Sequence, residues 1–160
     1  MSNSAESVGR AIPIERVVST QPYIVRRRVA FRDCDPAGIV YTPRFLDPIA
    51  TSAGELFMAE LVGVFGQRDE PLKGVDFPAK ALSMVFHSPA RHGDILDLHV
   101  GCARIGNTSF DTRVDAFSTE GQAVFTCTMT VVCIDPGVYQ SCPIPDYMRE
   151  KLAPHLRAES

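Results

Sequence analysis

Residues 43 to about 65 form the one long stretch with apolar residues at helical spacing, and it is too apolar to stand alone. Phe45, Ile49, Ala53, Leu56 and Phe57, then Leu61 and Val64, recur near the 3.6-residue period. The small residues Ala50, Ser52, Ala53 and Gly54 would let this helix approach another surface closely. Such a segment has to be covered, and the remaining pattern supplies the cover. One alternating stretch precedes the helix, with Tyr23, Val25, Val29 and Phe31 on one face and Arg26, Arg28 and Arg32 on the other. Those arginines are read as a solvated face rather than a phosphate site. Four alternating stretches follow the helix: Leu82, Met84, Phe86; Leu96, Leu98, Val100, Cys102; Phe110, Thr112, Val114, Ala116; and Ala123, Phe125, Cys127, Met129, Val131, Cys133. The turns that separate these four carry Pro89 and Gly93, Gly106 and Asn107, and Gly121. Strand, long helix and four hairpin-linked strands specify an α+β fold, a curved antiparallel sheet of about five strands around one helix.

Pro48 falls in the first two turns of the helix and predicts a distorted start. Residues 1 to 22, polar and broken by Pro13 and Pro22, read as an N-terminal arm, and 23 to 160 as a single domain. Residues 66 to 76 read as a polar connection, and a short helix is expected from Asp146 to about Ala153. The net charge of −3 gives no electrostatic footprint for nucleic acid. No apolar run is long enough to span a bilayer, and the first residues lack the apolar core of a signal peptide. Five cysteines without a C-x-x-C pair argue against structural zinc and a disulfide framework, which suits a cytoplasmic chain. His87, His92, His99 and His155 do not have metal-ligand spacing. His99 is placed on an outer strand face, and His87 at a strand end, where lining a pocket is the minor reading. No metal and no cofactor is expected.

The candidate chemistry lies just before the helix, in Arg32-Asp33-Cys34-Asp35-Pro36-Ala37-Gly38-Ile39-Val40-Tyr41-Thr42-Pro43. Thr42 reads as N-cap and Pro43 as first helical residue. That puts Asp33 and Asp35 on a loop beside free N–H groups and the positive end of a helix dipole, a setting suited to acyl transfer. An Asp before Pro and Gly is also an ordinary turn residue that hydrogen-bonds its own backbone. Gly38 would allow the tight turn, and Cys34 reads as a small buried residue because no His stands near it in sequence.

Asp-Cys-Asp-Pro-Ala-Gly-Ile-Val-Tyr, followed by Pro43 and Phe45, resembles the active-site segment of the hotdog-fold acyl-CoA thioesterases, and most closely the 4-hydroxybenzoyl-CoA thioesterase branch. The resemblance implies a hotdog fold and Asp35 as nucleophile or general base. It implies a carbonyl-polarising backbone at Tyr41 and Thr42. Asp33, Gly38, Ile39, Val40, Arg91, Arg104 and Asn107 would be substrate-binding residues. It also implies an acyl-CoA substrate, and a homodimer or homotetramer with sites at subunit interfaces. Glu55, on the helix, is the substitute carboxylate. Where the closest branch has a basic cluster for coenzyme A phosphates, Arg104 is the one arginine of 104 to 110; either Arg104 with Arg91 or Arg113 takes that task, or the carrier differs, an acyl carrier protein being the alternative. A non-catalytic acyl-thioester-binding module is the non-enzyme reading. A hotdog dehydratase would need a His paired with the carboxylate, and the loop has none.

Overall fold

The computed structural model describes residues 13–63 and 70–157. Six strands form one sheet: β1 (Glu15–Thr20), β2 (Tyr23–Arg28), β3 (Ala79–Phe86), β4 (Ile95–Ile105), β5 (Ser109–Ser118) and β6 (Ala123–Val132). Their order is β1-β2-β4-β5-β6-β3, and every neighbouring pair is antiparallel. The alternation predicted for the central strands is the core: Leu96, Leu98, Val100 and Cys102 are at most 1% exposed. Phe110, Val114 and Ala116 are buried beside them.

The helix runs across this sheet in three pieces, α1 (Thr42–Arg44), a π-helical turn (Phe45–Ala50) and α2 (Thr51–Val62). The interruption falls at the expected place. Asp47, before Pro48, leaves helical geometry at φ −121° and ψ 113°. Ile49, Ala53 and Phe57 are fully buried against the strands. Ala53 keeps the backbone close, and the Phe57 ring meets Tyr23 edge-on at 5.2 Å. Burial of a side chain the size of Phe57 is worth up to about 3 kcal/mol. The helix ends at Gly63, whose φ of 80° favours glycine. The expected end near 65 falls outside the described residues, as do most of the N-terminal arm and part of the 66 to 76 connection.

The result is a hotdog fold, with corrections in detail. The sheet has six strands rather than five, because part of the predicted arm is β1. Its residues are mostly exposed on both faces, so they carry no period-two signal. Phe31 is not on the buried face with Tyr23 and Val25 but is 80% exposed, since β2 ends at Arg28 and Phe31–Asp33 form a 3-10 turn. Beyond β6, β7 (Ile134–Asp135) and β8 (Gln140–Ser141) make a small hairpin. It leads to α3 (Asp146–Leu152), which buries Met148 and Leu152. After a 3-10 turn, Leu156 pairs with Cys102 beyond the point where β2 stops covering β4.

Candidate active site

The loop between β2 and α1 is pinned at both ends by backbone bonds. Cys34 bridges Val40, Ile39 bridges Arg91, and Val40 N–H donates to Ala90 O at 2.8 Å. Between these, Asp35 N–H donates to Ile39 O at 2.9 Å and Gly38 N–H to Asp35 O at 2.9 Å. Gly38 sits at φ +80° with open space around a notional Cβ, so backbone conformation alone requires glycine here. Val40 is buried at 3% and holds the loop to the core, while Ile39 is half-buried.

Both readings of Asp35 hold at once, one on each oxygen. Oδ1 accepts the Ala37 N–H at 2.8 Å, the usual turn bond. Oδ2 has no hydrogen-bond partner among the described residues. The side chain faces a groove of about 590 Å³ lined by Arg32, Cys34, Asp35, Tyr41, Arg44 and Asp47, together with Pro36 and Pro43. A carboxylate with one oxygen fixed by a turn bond, on the wall of a groove, has the chemistry to act as a base or a nucleophile.

The helix begins one residue earlier than the sequence suggests. Tyr41, extended at ψ 125°, is the N-cap, and Thr42 is the first helical residue. The Tyr41 N–H is used, donating to Asp33 O at 2.9 Å, and Tyr41 O accepts Arg44 N–H at 2.7 Å. Thr42 N–H, which as a first-turn donor lacks a helical acceptor, has none among the described residues. It lies between Tyr41 and Pro43, both in the groove wall.

Asp33 plays a different part from Asp35. It is fully buried, and Oδ2 accepts Ala30 N–H at 2.9 Å. Arg27 Nη2 approaches that oxygen at 3.9 Å, and Arg27 Nη1 reaches Glu15 Oε2 at 2.8 Å. Ser52 Oγ of α2 donates to the other oxygen of Glu15. The edge strand β1, its neighbour β2, the loop and the helix thus share one polar chain, with Arg27 and Asp33 buried in it. Sequence reading missed Arg27, although Tyr23, Val25, Arg27 and Val29 keep the inward period. A charge at an inward position was the available signal.

Cys34 is a poor nucleophile here, because burial, with the Asp33 carboxylate next, pushes its thiol up. His92, brought in by the turn before β4, packs edge-on to Phe31 at 5.8 Å. His87 Nε2 lies 3.2 Å from Thr126 Oγ1, and His99 stands half-buried on the outer face against Phe117.

The other candidates are spread out. Arg91 is exposed and adjoins Ile39 through its backbone. Arg104 and Asn107 lie at the far end of β4 from the loop, roughly 30 Å along the strand. Arg104 is held by Asp111 through two bonds, at 2.8 and 3.0 Å. Glu55 is more than three helical turns from Thr42, about 20 Å along the axis. It lines a second, largely apolar cavity of about 620 Å³ with Gly54, Met58, Phe77, Phe110 and Met129 among its walls.

Three comparisons bear on this arrangement. The model of the thioesterase-like superfamily matches residues 29–152. A thioesterase superfamily protein from Jannaschia sp. CCS1 is 31% identical, with 88% of this chain and 96% of that one covered and a TM-score of 0.73. A 1,4-dihydroxy-2-naphthoyl-CoA thioesterase from Synechocystis is 22% identical over 81% of this chain and 94% of its own, with a TM-score of 0.71. A gentisyl-coenzyme A thioesterase is 23% identical over 80% and 98%, with a TM-score of 0.66. At these two lower identities the likeness is one of fold. No curated protein matches the chain.

Proposed function

The chain belongs to the thioesterase-like superfamily and is a thioester hydrolase; on that premise we propose that it hydrolyses an acyl-CoA, with Asp35 as the catalytic carboxylate. The observation that carries this reading is the divided Asp35 carboxylate on the groove wall, with Oδ1 fixed by Ala37 N–H and Oδ2 without a hydrogen-bond partner among the described residues.

The thioester carbonyl oxygen takes the Thr42 N–H, so that negative charge developing on it meets a fixed donor and the positive helix end. Asp35 Oδ2 then acts in one of two ways. It attacks the carbonyl carbon and expels the coenzyme A thiolate, leaving an acyl-aspartyl anhydride that water opens. Or it takes a proton from water, whose hydroxide attacks and expels the same thiolate. Either way the products are a carboxylic acid and a thiol.

The substrate is an aromatic acyl group, such as a hydroxybenzoyl, or a short to medium acyl chain. Two proteins of similar fold carry names of aromatic acyl-CoA thioesterases, which supports the aromatic class. Arg32 and Arg44 in the groove wall, with Arg91 beside Ile39, offer positive charge to an anionic carrier. The second reading, an acyl carrier protein as thiol carrier, draws on Arg104 being engaged by Asp111. Two copies are proposed to meet along β3, the sheet edge that exposes Leu82, Val85 and Phe86.

The test is loss of thioester absorbance over aromatic and aliphatic acyl-CoAs for wild type and Asp35→Ala. A fall of about 10²- to 10⁴-fold in the folded variant is expected, the size of a lost general base. Activity that survives the substitution would transfer the role to Glu55. Inactivity of the wild type on every acyl-CoA would favour a carrier-protein substrate or a binding module.

A further inference from the structure

Away from the groove, two cysteines face each other across the hairpin that follows β6. Ile134 pairs with Ser141 and Asp135 with Gln140, and Cys142 N–H donates to Cys133 O at 3.0 Å. Cys133 and Cys142 are therefore the next opposed pair of that ladder. Their Sγ atoms are 3.4 Å apart, and both are free thiols. Directly opposed antiparallel residues have Cα atoms roughly 4.5–5.5 Å apart. A disulfide spans about 4.4–6.8 Å between Cα atoms. Closing the bond here needs side-chain rotation and no movement of the chain. No other pair of cysteines is hydrogen-bonded through sulfur among the described residues.

We propose that Cys133 and Cys142 form a redox modification site, a dithiol that a small disulfide oxidant such as oxidised glutathione converts into an intramolecular disulfide. Accessibility fixes the order of events. Cys142 is half-buried, while Cys133 is fully enclosed. The Cys142 thiolate attacks one sulfur of the oxidant and releases a first glutathione thiolate. Cys133 gives up its proton to solvent, and its sulfur attacks Cys142 Sγ and releases the second glutathione. Two protein thiols lose two electrons and two protons, and one glutathione disulfide becomes two thiols. Burial pushes the Cys133 thiol up, so closure accelerates as the solution is made alkaline.

The bond would lock a strap already held by backbone. Cys133 N–H donates to Thr108 O, Ile144 N–H to Asn107 O, and Arg149 Nη2 to Asn107 O, tying the hairpin and α3 to the β4–β5 turn. Oxidation is therefore expected to raise the melting temperature, and reductant to reverse the rise.

The experiment incubates the native, full-length protein with oxidised glutathione and then counts thiols after denaturation. Reactive thiols are expected to fall from five to three, with no glutathione retained. Cleavage before aspartate parts Cys133 from Cys142 at Asp135, and the two fragments are expected to stay joined until reduced. Cys127 lies on the Cys133 fragment, so Cys127→Ser is expected to close normally while Cys142→Ser does not. Glutathione that stays on Cys142, five thiols surviving incubation at mildly alkaline pH, or a link to another cysteine would each overturn the proposal. The wild-type fragment map decides the matter even where a variant folds poorly.

Discussion

Arg27 ties strand β1 to the loop that carries Asp35. It is 4% exposed and lies between Glu15 and Asp33, which are themselves tied to the helix through Ser52 and to the loop through Ala30. Arg27 Nε and Asp33 Oδ1 are buried without a hydrogen-bond partner among the described residues. Such a chain contributes position more than net stability, but breaking it is expensive, because two carboxylates lose their cation in a dry site. Arg27→Met is expected to lower unfolding free energy by about 3–5 kcal/mol, the cost typical of a broken buried pair. Urea titration checks this. A loss under about 1 kcal/mol, the range of surface pairs, would mean that solvent already screens the charges. Asp35 differs at the same scale. Its stabilising bond is a local turn bond, so the free oxygen can serve chemistry without weakening the core.

Among elements, the C-terminal strap depends on one small residue. A Cβ on Gly101 would stand 2.6 Å from Arg157 Nε and 3.0 Å from His155 O. The arginine end can swing away, but the carbonyl belongs to backbone held by Arg157 N–H donating to Cys102 O at 2.8 Å. Gly101→Ala is therefore expected to lift residues 155 to 157 off β4. It would also release the His155 ring from Phe57, which it meets at 5.0 Å. Limited proteolysis would show this as earlier cleavage near the C-terminus, while a wild-type digestion pattern would mean that the strap yields without detaching. The helix start shows the same dependence on context. Pro48 and Asp47 interrupt it, yet Phe45 and Ile49 are buried on either side, so packing holds the chain on both sides of the break.

At the scale of the whole molecule, charge on the outer face sets the acid limit. The hydrogen bond from Arg26 holds Asp97 below the usual carboxylate range, and that from Arg104 does the same for Asp111. For Asp115, burial is the largest influence and pushes upward, but Arg113, Thr126 and Arg157 together outweigh it. Groups held low in the folded state stabilise it above the unfolded pKa of about 3.9, and that stability disappears as pH falls through the folded values. His99 and His155 are lowered by burial first and Arg157 next. They bind a proton less readily folded than unfolded, so protonation opposes folding once pH drops below about 6.5. Urea midpoints are therefore expected to decline in two stages, below about 6.5 and again below about 4, with His99→Gln shrinking the first. A flat profile between pH 7 and 5 would contradict the histidine assignment. The other whole-molecule prediction concerns β3. Val85→Lys, a charge placed on an exposed edge, is expected to convert the proposed dimer to monomer in light scattering, and an unchanged mass would put the interface elsewhere.

The sequence by itself determined the fold class, the central helix with its break at Pro48, and the four strands from β3 to β6. Each is written in a local period, because burial on one face demands apolar residues at that spacing. It also singled out the Asp35 loop, since Pro36, Gly38 and the following helix form a contiguous signal. Tertiary structure alone decided what no local period encodes. β1 is a strand because β2 offers it an edge, although its residues are mostly exposed. Phe31 points to solvent because β2 stops short of it. Arg27 is buried because Glu15 and Asp33, distant along the chain, meet it there. At the helix start, Tyr41 N–H is consumed by Asp33 O, while Thr42 N–H has no acceptor among the described residues. The identity of residues fixes which groups exist, but only the packed chain fixes which already have partners.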